Sequence, residues 1–344
     1  MNTLRRTLFA TLLACLLSLP AEAQEIIRHF PVPATVSPQL QTLIASPAPD
    51  YWNFHPRDRK EWKEWTGNFA QQLEKTLPNL CSSLNVSISS ERLGGVPVFI
   101  IQPKDLPESN RDRILLHFHG GGYVLGQGLS GTQEAILMAG IGKFRIISVD
   151  YRMAPDFPYP AAIDDAIAVY RELLRTTSPQ QIGVFGTSTG GGMTLILPLR
   201  AREEGLPLPA ALAAGTPWTD LSKTGDSYFT NEGVDSMLVS YDGWLGEAAR
   251  VYADGHDLKD PMLSPIYGDV RGFPPTLLTS GTRDLFLSNT VRMHLKLREA
   301  GVDADLIVFE GLSHAQYHMN PDIPETRFHF LELARFFSTH LKEH

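Results

Sequence analysis

From about residue 95 onward the chain alternates short apolar runs with longer amphipathic ones. The apolar runs at 96–102, 113–119, 145–149, 182–185, 210–214, 276–279 and 304–309 are bounded by turn-forming residues, and each predicts a strand. Between them, 132–141, 161–175, 191–204, 289–300 and 325–341 have the length and periodicity of helices. The strands are nearly continuous in apolar residues instead of alternating with polar ones. That is the pattern of a sheet covered on both faces. Strand–helix alternation of this kind predicts an α/β fold, a mostly parallel central sheet with helices on both faces.

Two regions break the rhythm. Residues 24–92 begin Pro-rich and then carry Trp52, Phe54, Trp62, Trp65 and Phe69 among charges, the last three at helical spacing. Residues 217–262 offer no clear strand but include Tyr228, Phe229, Tyr241, Trp244 and Tyr252. A connection of that length is an insertion in a compact domain. The expected division is an N-terminal cap segment at 24–92, core at 93–216, a cap insertion at 217–262, and core again at 263–344.

The first 23 residues stand outside this scheme. Arg5 and Arg6 precede an uncharged apolar run at 7–19, followed by Pro20 and Ala21-Glu22-Ala23. The three parts in order predict a signal peptide cleaved after Ala23, with an apolar run too short to span a bilayer. The expected mature protein starts at Gln24, is periplasmic or secreted, and retains no integral membrane span. Lipidation at Cys15 is the rival reading of the same stretch. With cleavage, Cys81 is the only remaining cysteine, so no internal disulfide forms and the thiol is expected to be buried and inert.

A net charge of −8 without any basic block argues against a nucleic-acid partner. The chemistry is concentrated in loops at predicted strand ends. The strand at 182–185 runs into Gly186-Thr187-Ser188-Thr189-Gly190 and then a helix, the strand–turn–helix setting of a nucleophile elbow. After the strand ending at Phe118 comes His119-Gly120-Gly121-Gly122-Tyr123, whose consecutive glycines allow backbone N–H groups to converge on an oxyanion. His117 and His119 resemble a metal pair, yet no third ligand has convincing spacing, and no metal or cofactor is expected. A serine nucleophile needs a base, and the base needs an orienting acid. Asp284 follows the strand at 276–279 and His314 the strand at 304–309, so both fall at the sheet edge that carries Ser188. His294, His318, His340, Asp254, Asp257 and Asp260 are the weaker candidates.

At this point a resemblance is specific. His119-Gly120-Gly121-Gly122 is similar to the HGGG motif of the hormone-sensitive-lipase-like esterases of the α/β-hydrolase superfamily. The segment from Asp150 through Tyr151-Arg152-Met153-Ala154-Pro155 to Ala161 resembles that family's YRLAPE…FPA stretch, and the elbow and the loops at Asp284 and His314 resemble its own. The resemblance implies an α/β-hydrolase fold with a cap and no cofactor. It implies Ser188 as nucleophile, His314 as general base and acid, Asp284 as orienter, and the N–H groups of Gly121, Gly122 and Thr189 as the oxyanion hole. The expected substrate is a small ester with a short-to-medium acyl group. Lactone or amide hydrolysis by the same machinery, and a catalytically dead binding protein, are the alternatives. Thr187 and Thr189 replace the family's usual Asp and Ala around the serine, and the branched Thr189 is expected to narrow the space beside the oxyanion.

Overall fold

The computed structural model describes residues 26–343; the expected signal peptide, Cys15 and Gln24 lie outside them. Among these residues eight strands form one sheet: β1 Val86–Leu93, β2 Val96–Pro103, β3 Ile114–Phe118, β4 Arg145–Val149, β5 Ile182–Thr187, β6 Ala211–Gly215, β7 Thr276–Gly281 and β8 Ala304–Phe309. Their spatial order is β1-β2-β4-β3-β5-β6-β7-β8. β2 pairs antiparallel with β1 and β4, and every other pair is parallel.

β1 was absent from the expected strands, and it draws the sheet back to Val86, inside the stretch assigned to the N-terminal segment. Its core reads Ser-Ile-Ser-Ser-Glu-Arg and most of it is exposed. Such a strand presents no apolar run, because it lies at the edge of the sheet and is held by backbone pairing to β2.

Among the described residues ten helices surround the sheet: α1 Pro38–Ile44, α2 Arg59–Glu74, α3 Leu77–Leu84, α4 Gln133–Gly142, α5 Ala161–Leu173, α6 Thr189–Glu203, α7 Ser227–Thr230, α8 Trp244–Ala253, α9 Leu287–Glu299 and α10 Pro324–His340. Alternate strand residues feed two cores. Val98, Ile100, Leu116, Phe118, Ile147 and Val184 meet α5, α6 and α9 on one face. Ile101, Leu115, Ile146 and Phe185 meet α3, α4 and α10 on the other. This double burial is why the strands read as unbroken apolar runs.

The two irregular regions meet above the carboxyl ends of the strands. Trp65 on α2 packs against Trp244 on α8 with ring centroids 5.5 Å apart. Trp62, Tyr51 and Phe54 close around Trp65 at 5.8, 5.9 and 5.5 Å. Aromatic pairs at such spacings add roughly 0.5–1.5 kcal/mol each beyond burial.

α10 is locked to the sheet through Phe337, which is fully buried beside Phe144 and Phe185. A Cβ at Gly183 would fall 2.6 Å from the Phe337 ring, so strand and helix are in close contact. Phe337→Ala is therefore expected to cost about 3–5 kcal/mol of stability, and Gly183→Ala to destabilise as well. Urea unfolding of both variants checks this, and an unchanged midpoint for Phe337→Ala would refute the packing described.

Candidate active site

Ser188 sits where β5 ends and α6 begins. Its backbone has φ 63° and ψ −121°, a conformation side chains rarely adopt. Conformations of this kind cost on the order of 1–3 kcal/mol and persist only when neighbours impose them. Here Ser188 N donates to Gly215 O at 2.9 Å, while Ser188 O accepts from Gly192 N and Trp218 N, each at 2.9 Å. The start of α6 also presses onto β3. A Cβ at Gly190 would lie 1.9 Å from Phe118 O, so no side chain is possible there. The turn lifts Ser188 above the strand ends, at the positive end of the α6 dipole.

Asp284 and His314 come from the loops after β7 and β8. His314 Nδ1 lies 3.0 Å from Asp284 Oδ1, and the two side chains are almost wholly buried. Asp284 is itself held: Oδ2 accepts from Ser280 Oγ at 2.6 Å and Oδ1 from Phe286 N at 2.8 Å. The Phe286 ring meets the His314 imidazole edge-on at 4.7 Å. A carboxylate on that side assigns the proton to Nδ1 and leaves the Nε2 lone pair free to take another.

The glycine loop faces both. Gly121 has φ 120° and Gly122 φ 65°. Gly121 O accepts from Val124 N and Leu125 N, closing a tight turn. A Cβ at Gly121 would stand 2.3 Å from Leu125 O. The segment after β4 braces this loop. Tyr151 OH donates to His119 O at 2.7 Å, its ring stacks on the His119 imidazole at 4.2 Å, and Ala154 N donates to Tyr123 O. His119 Nδ1 meets Gly120 O at 2.7 Å, and burial pushes this histidine down to about 4, so it is neutral.

One cavity of about 230 Å³ brings these pieces together. Its walls include Ser188, His314 and Gly120 to Gly122, with Tyr51, Phe69 and Leu73 from the N-terminal segment and Met237, Leu238 and Trp244 from the insertion. Larger surface hollows lie beside Arg111 and Arg145 and beside Arg57 and Arg59, away from all of these groups. Thr189 is fully buried and does not line the cavity, contrary to the expectation that its side chain narrows the space. Its side chain is buried in the first turn of α6, while its backbone N–H stands at the helix start next to Ser188.

Apart from His318, the other candidates are engaged elsewhere. His294 lies on α9, against Ala304 O, and His340 ends α10. His318, beyond the His314 loop, is part-buried and lines the same cavity as Ser188 and His314, and burial lowers its pKa. Asp254 caps α8, and Asp257 and Asp260 close local turns with Lys259 N and Met262 N. Cys81 is part-buried, and burial pushes its thiol pKa up. His117 bonds Ser148 and Glu134, and among the described residues no group of three His, Cys, Asp or Glu is placed to hold a metal ion.

Two buried carboxylates were not foreseen. Glu134 accepts from Thr187 Oγ1 at 2.6 Å and lies 3.2 Å from His117 Nε2, while Tyr317 OH sits 2.9 Å from Thr187 Oγ1. Burial works to raise the Glu134 pKa, but its contacts with His117 and Thr187 outweigh it and hold the group below its usual range. A carboxylate thus stands behind Ser188 although the preceding residue is Thr. Its only signal was one acid in the first turn of an otherwise apolar helix. Asp235, in the insertion, accepts from Leu285 N at 2.7 Å and His314 N at 3.2 Å. No motif or periodicity marks it.

Comparison with known proteins agrees with this geometry. A family model described as the alpha/beta hydrolase fold matches residues 115–318. An acetyl-hydrolase of Streptomyces hygroscopicus is 31% identical over 222 residues, 64% of this chain and 74% of the relative. The crystal structure of an esterase, E25, superposes with a TM-score of 0.88 at 44% identity, covering 92% of this chain and 98% of that one. An esterase of the bacterial hormone-sensitive lipase family superposes with a TM-score of 0.74 at 28% identity, covering 89% and 99%. By fold, by the loops at the strand ends and by these likenesses, the chain belongs to the α/β-hydrolase family, among its hormone-sensitive-lipase-like esterases.

Proposed function

We propose that this protein is a serine carboxylesterase that cleaves short-to-medium acyl esters through an acyl-enzyme. The observation that carries the reading is that His314, bonded to the buried Asp284 at 3.0 Å, lines one cavity with Ser188 and the glycine loop. The names of the relatives, acetyl-hydrolase and esterase, support it. His314 Nε2 takes the Ser188 proton as Oγ attacks the ester carbonyl. The charge that develops on oxygen is met by the N–H groups of Gly121, Gly122 and Thr189, which cost no reorganisation because the turn and the helix start already fix them. Asp284 holds the imidazole and balances its charge once protonated. His314 then gives the proton to the departing alcohol. Water, deprotonated by the same Nε2, attacks the acyl carbonyl, and the proton passes to Ser188 Oγ as the bond to it breaks and the acid is released. No metal or cofactor enters these steps.

The cavity supports a limit on acyl length. Each buried methylene contributes about 0.8 kcal/mol until the chain meets the far wall, where overpacking costs roughly 1–3 kcal/mol. We also propose export, on the tripartite N-terminus alone.

Ser188→Ala should lower kcat by about 10⁴-fold or more, and Asp284→Asn by up to about 10⁴-fold, each with the fold retained. A fluorophosphonate should attach to Ser188, read by peptide mass spectrometry; attachment elsewhere would remove it as nucleophile. Across p-nitrophenyl esters from acetate to palmitate, kcat/KM should peak at a short chain, with no rise on emulsified triglyceride. Leu73→Ala should move that peak to longer chains, and activation at the emulsion would favour a lipase. Protein from the native host should begin at Gln24 by N-terminal sequencing, and recovery of Met1 would end the export proposal.

A further inference from the structure

The insertion does more than roof the cavity. Just after α7 its chain reaches down to the loops that carry Asp284 and His314. Asn231 Nδ2 donates to Asp284 O at 2.8 Å. Ser236 N donates to Ser313 Oγ at 3.0 Å, and Gln316 Nε2 donates to Ser236 Oγ at 3.1 Å. Between these contacts stands the Asp235 carboxylate. Its Oδ2 accepts from Leu285 N at 2.7 Å and from His314 N at 3.2 Å. Its Oδ1 accepts from Met237 N at 2.8 Å and Leu238 N at 3.0 Å.

The arrangement is an expensive one. Asp235 is 1% exposed, and its four hydrogen bonds come from backbone N–H groups. A buried carboxylate lacking a cationic partner is costly even when hydrogen-bonded. The charged groups that face it are Asp284, from the loop after β7, and His314, from the loop after β8; its own segment contributes N–H groups. Yet the single oxygen Oδ2 spans the two loops. It takes the N–H of the residue after Asp284 and the N–H of His314 itself. The 3.0 Å bond between their side chains requires those loops in one register, and a site of this kind tolerates errors of only about 0.5 Å.

We infer that Asp235 is a positioning residue for ester hydrolysis: its carboxylate sets the register between the Asp284 and His314 loops so that the imidazole faces Ser188. The inference rests on the triad proposed above. Met237 and Leu238, whose N–H groups bind the other oxygen, also line the cavity, so the wall that touches substrate is anchored to the same carboxylate. Burial, with the nearby Asp284 charge adding to it, pushes Asp235 up to about 6. Above that pH both oxygens accept. Below it one oxygen carries a proton and opposes the N–H groups it held. Asp235→Asn presents an NH₂ there at every pH and so resembles the protonated state.

The test uses the full-length enzyme and its Asp235→Asn variant, each titrated with a fluorophosphonate so that rates are per competent site. With p-nitrophenyl butyrate, the variant should lose about 10- to 100-fold in kcat with KM within about threefold, the size expected for sub-ångström misplacement. The acid limb of kcat/KM should be steeper than one proton in the wild type and fall to a one-proton slope in the variant. A merely structural role would lower the melting temperature and leave the per-site kcat and the limb alone. A per-site kcat within twofold of wild type with a superimposable pH profile overturns the inference. If the variant does not fold, the wild-type limb decides: a one-proton slope overturns it. Failure of the fluorophosphonate to label Ser188 in the wild type is a separate result, which sinks the triad itself.

Discussion

A hydroxyl stands clear of a sheet only where the backbone is forced into a turn it would not otherwise hold. That constraint organises this molecule. Ser188 keeps its positive φ because α6 is pressed onto β3 at Gly190 and because β6 and the chain beyond it bind the serine's own amide and carbonyl. The glycine loop must follow β3, since only there does it face the elbow. The loops after β7 and β8 must rise at the same edge, since parallel strands end together. The cap then closes over a place already defined by the strand ends.

Electrostatics inside this frame follow the same economy. Asp284, Glu134 and Asp235 are all buried carboxylates within the active region, and each is stabilised by donors instead of by lysine or arginine. Backbone N–H groups and neutral hydroxyls hold negative charge at fixed positions without the conformational freedom of long cationic side chains. The imidazole of His314, bonded to Asp284 through Nδ1, keeps its other nitrogen free of that carboxylate.

Legibility in the sequence follows from how local each cause is. Strands β2 to β7 were visible because both faces are largely buried, so apolar character runs along most of each strand, and β8, an edge strand with its middle part-exposed, still reads Leu-Ile-Val-Phe. β1 was not, because an edge strand owes its place to a neighbour's hydrogen bonds and its Ser, Glu and Arg look like loop. Ser188, the glycine loop, Asp284 and His314 were readable because a turn after a strand needs particular residues at particular offsets. Asp235 and Glu134 reach their partners across 50 and 53 residues of chain, through Leu285 and Thr187. A single carboxylate whose partner lies that far away leaves no periodicity and no spacing to detect. The expectation for Thr189 failed for a related reason: a side chain's direction at a helix start depends on the helix it enters, not on its size.

The contact between Trp65 and Trp244 also bears on how the chain acquires its shape. During synthesis Trp65 emerges about 180 residues before the partner that covers it. Until then Trp65, with Trp62 and Phe54 nearby, has no roof to join, and the apolar strands that follow appear while that aromatic surface is still open. Contacts of such long sequence separation form slowly because a large loop must close first. The last part to assemble is then the substrate cavity itself, and an unfinished chain presents its stickiest residues for the longest time.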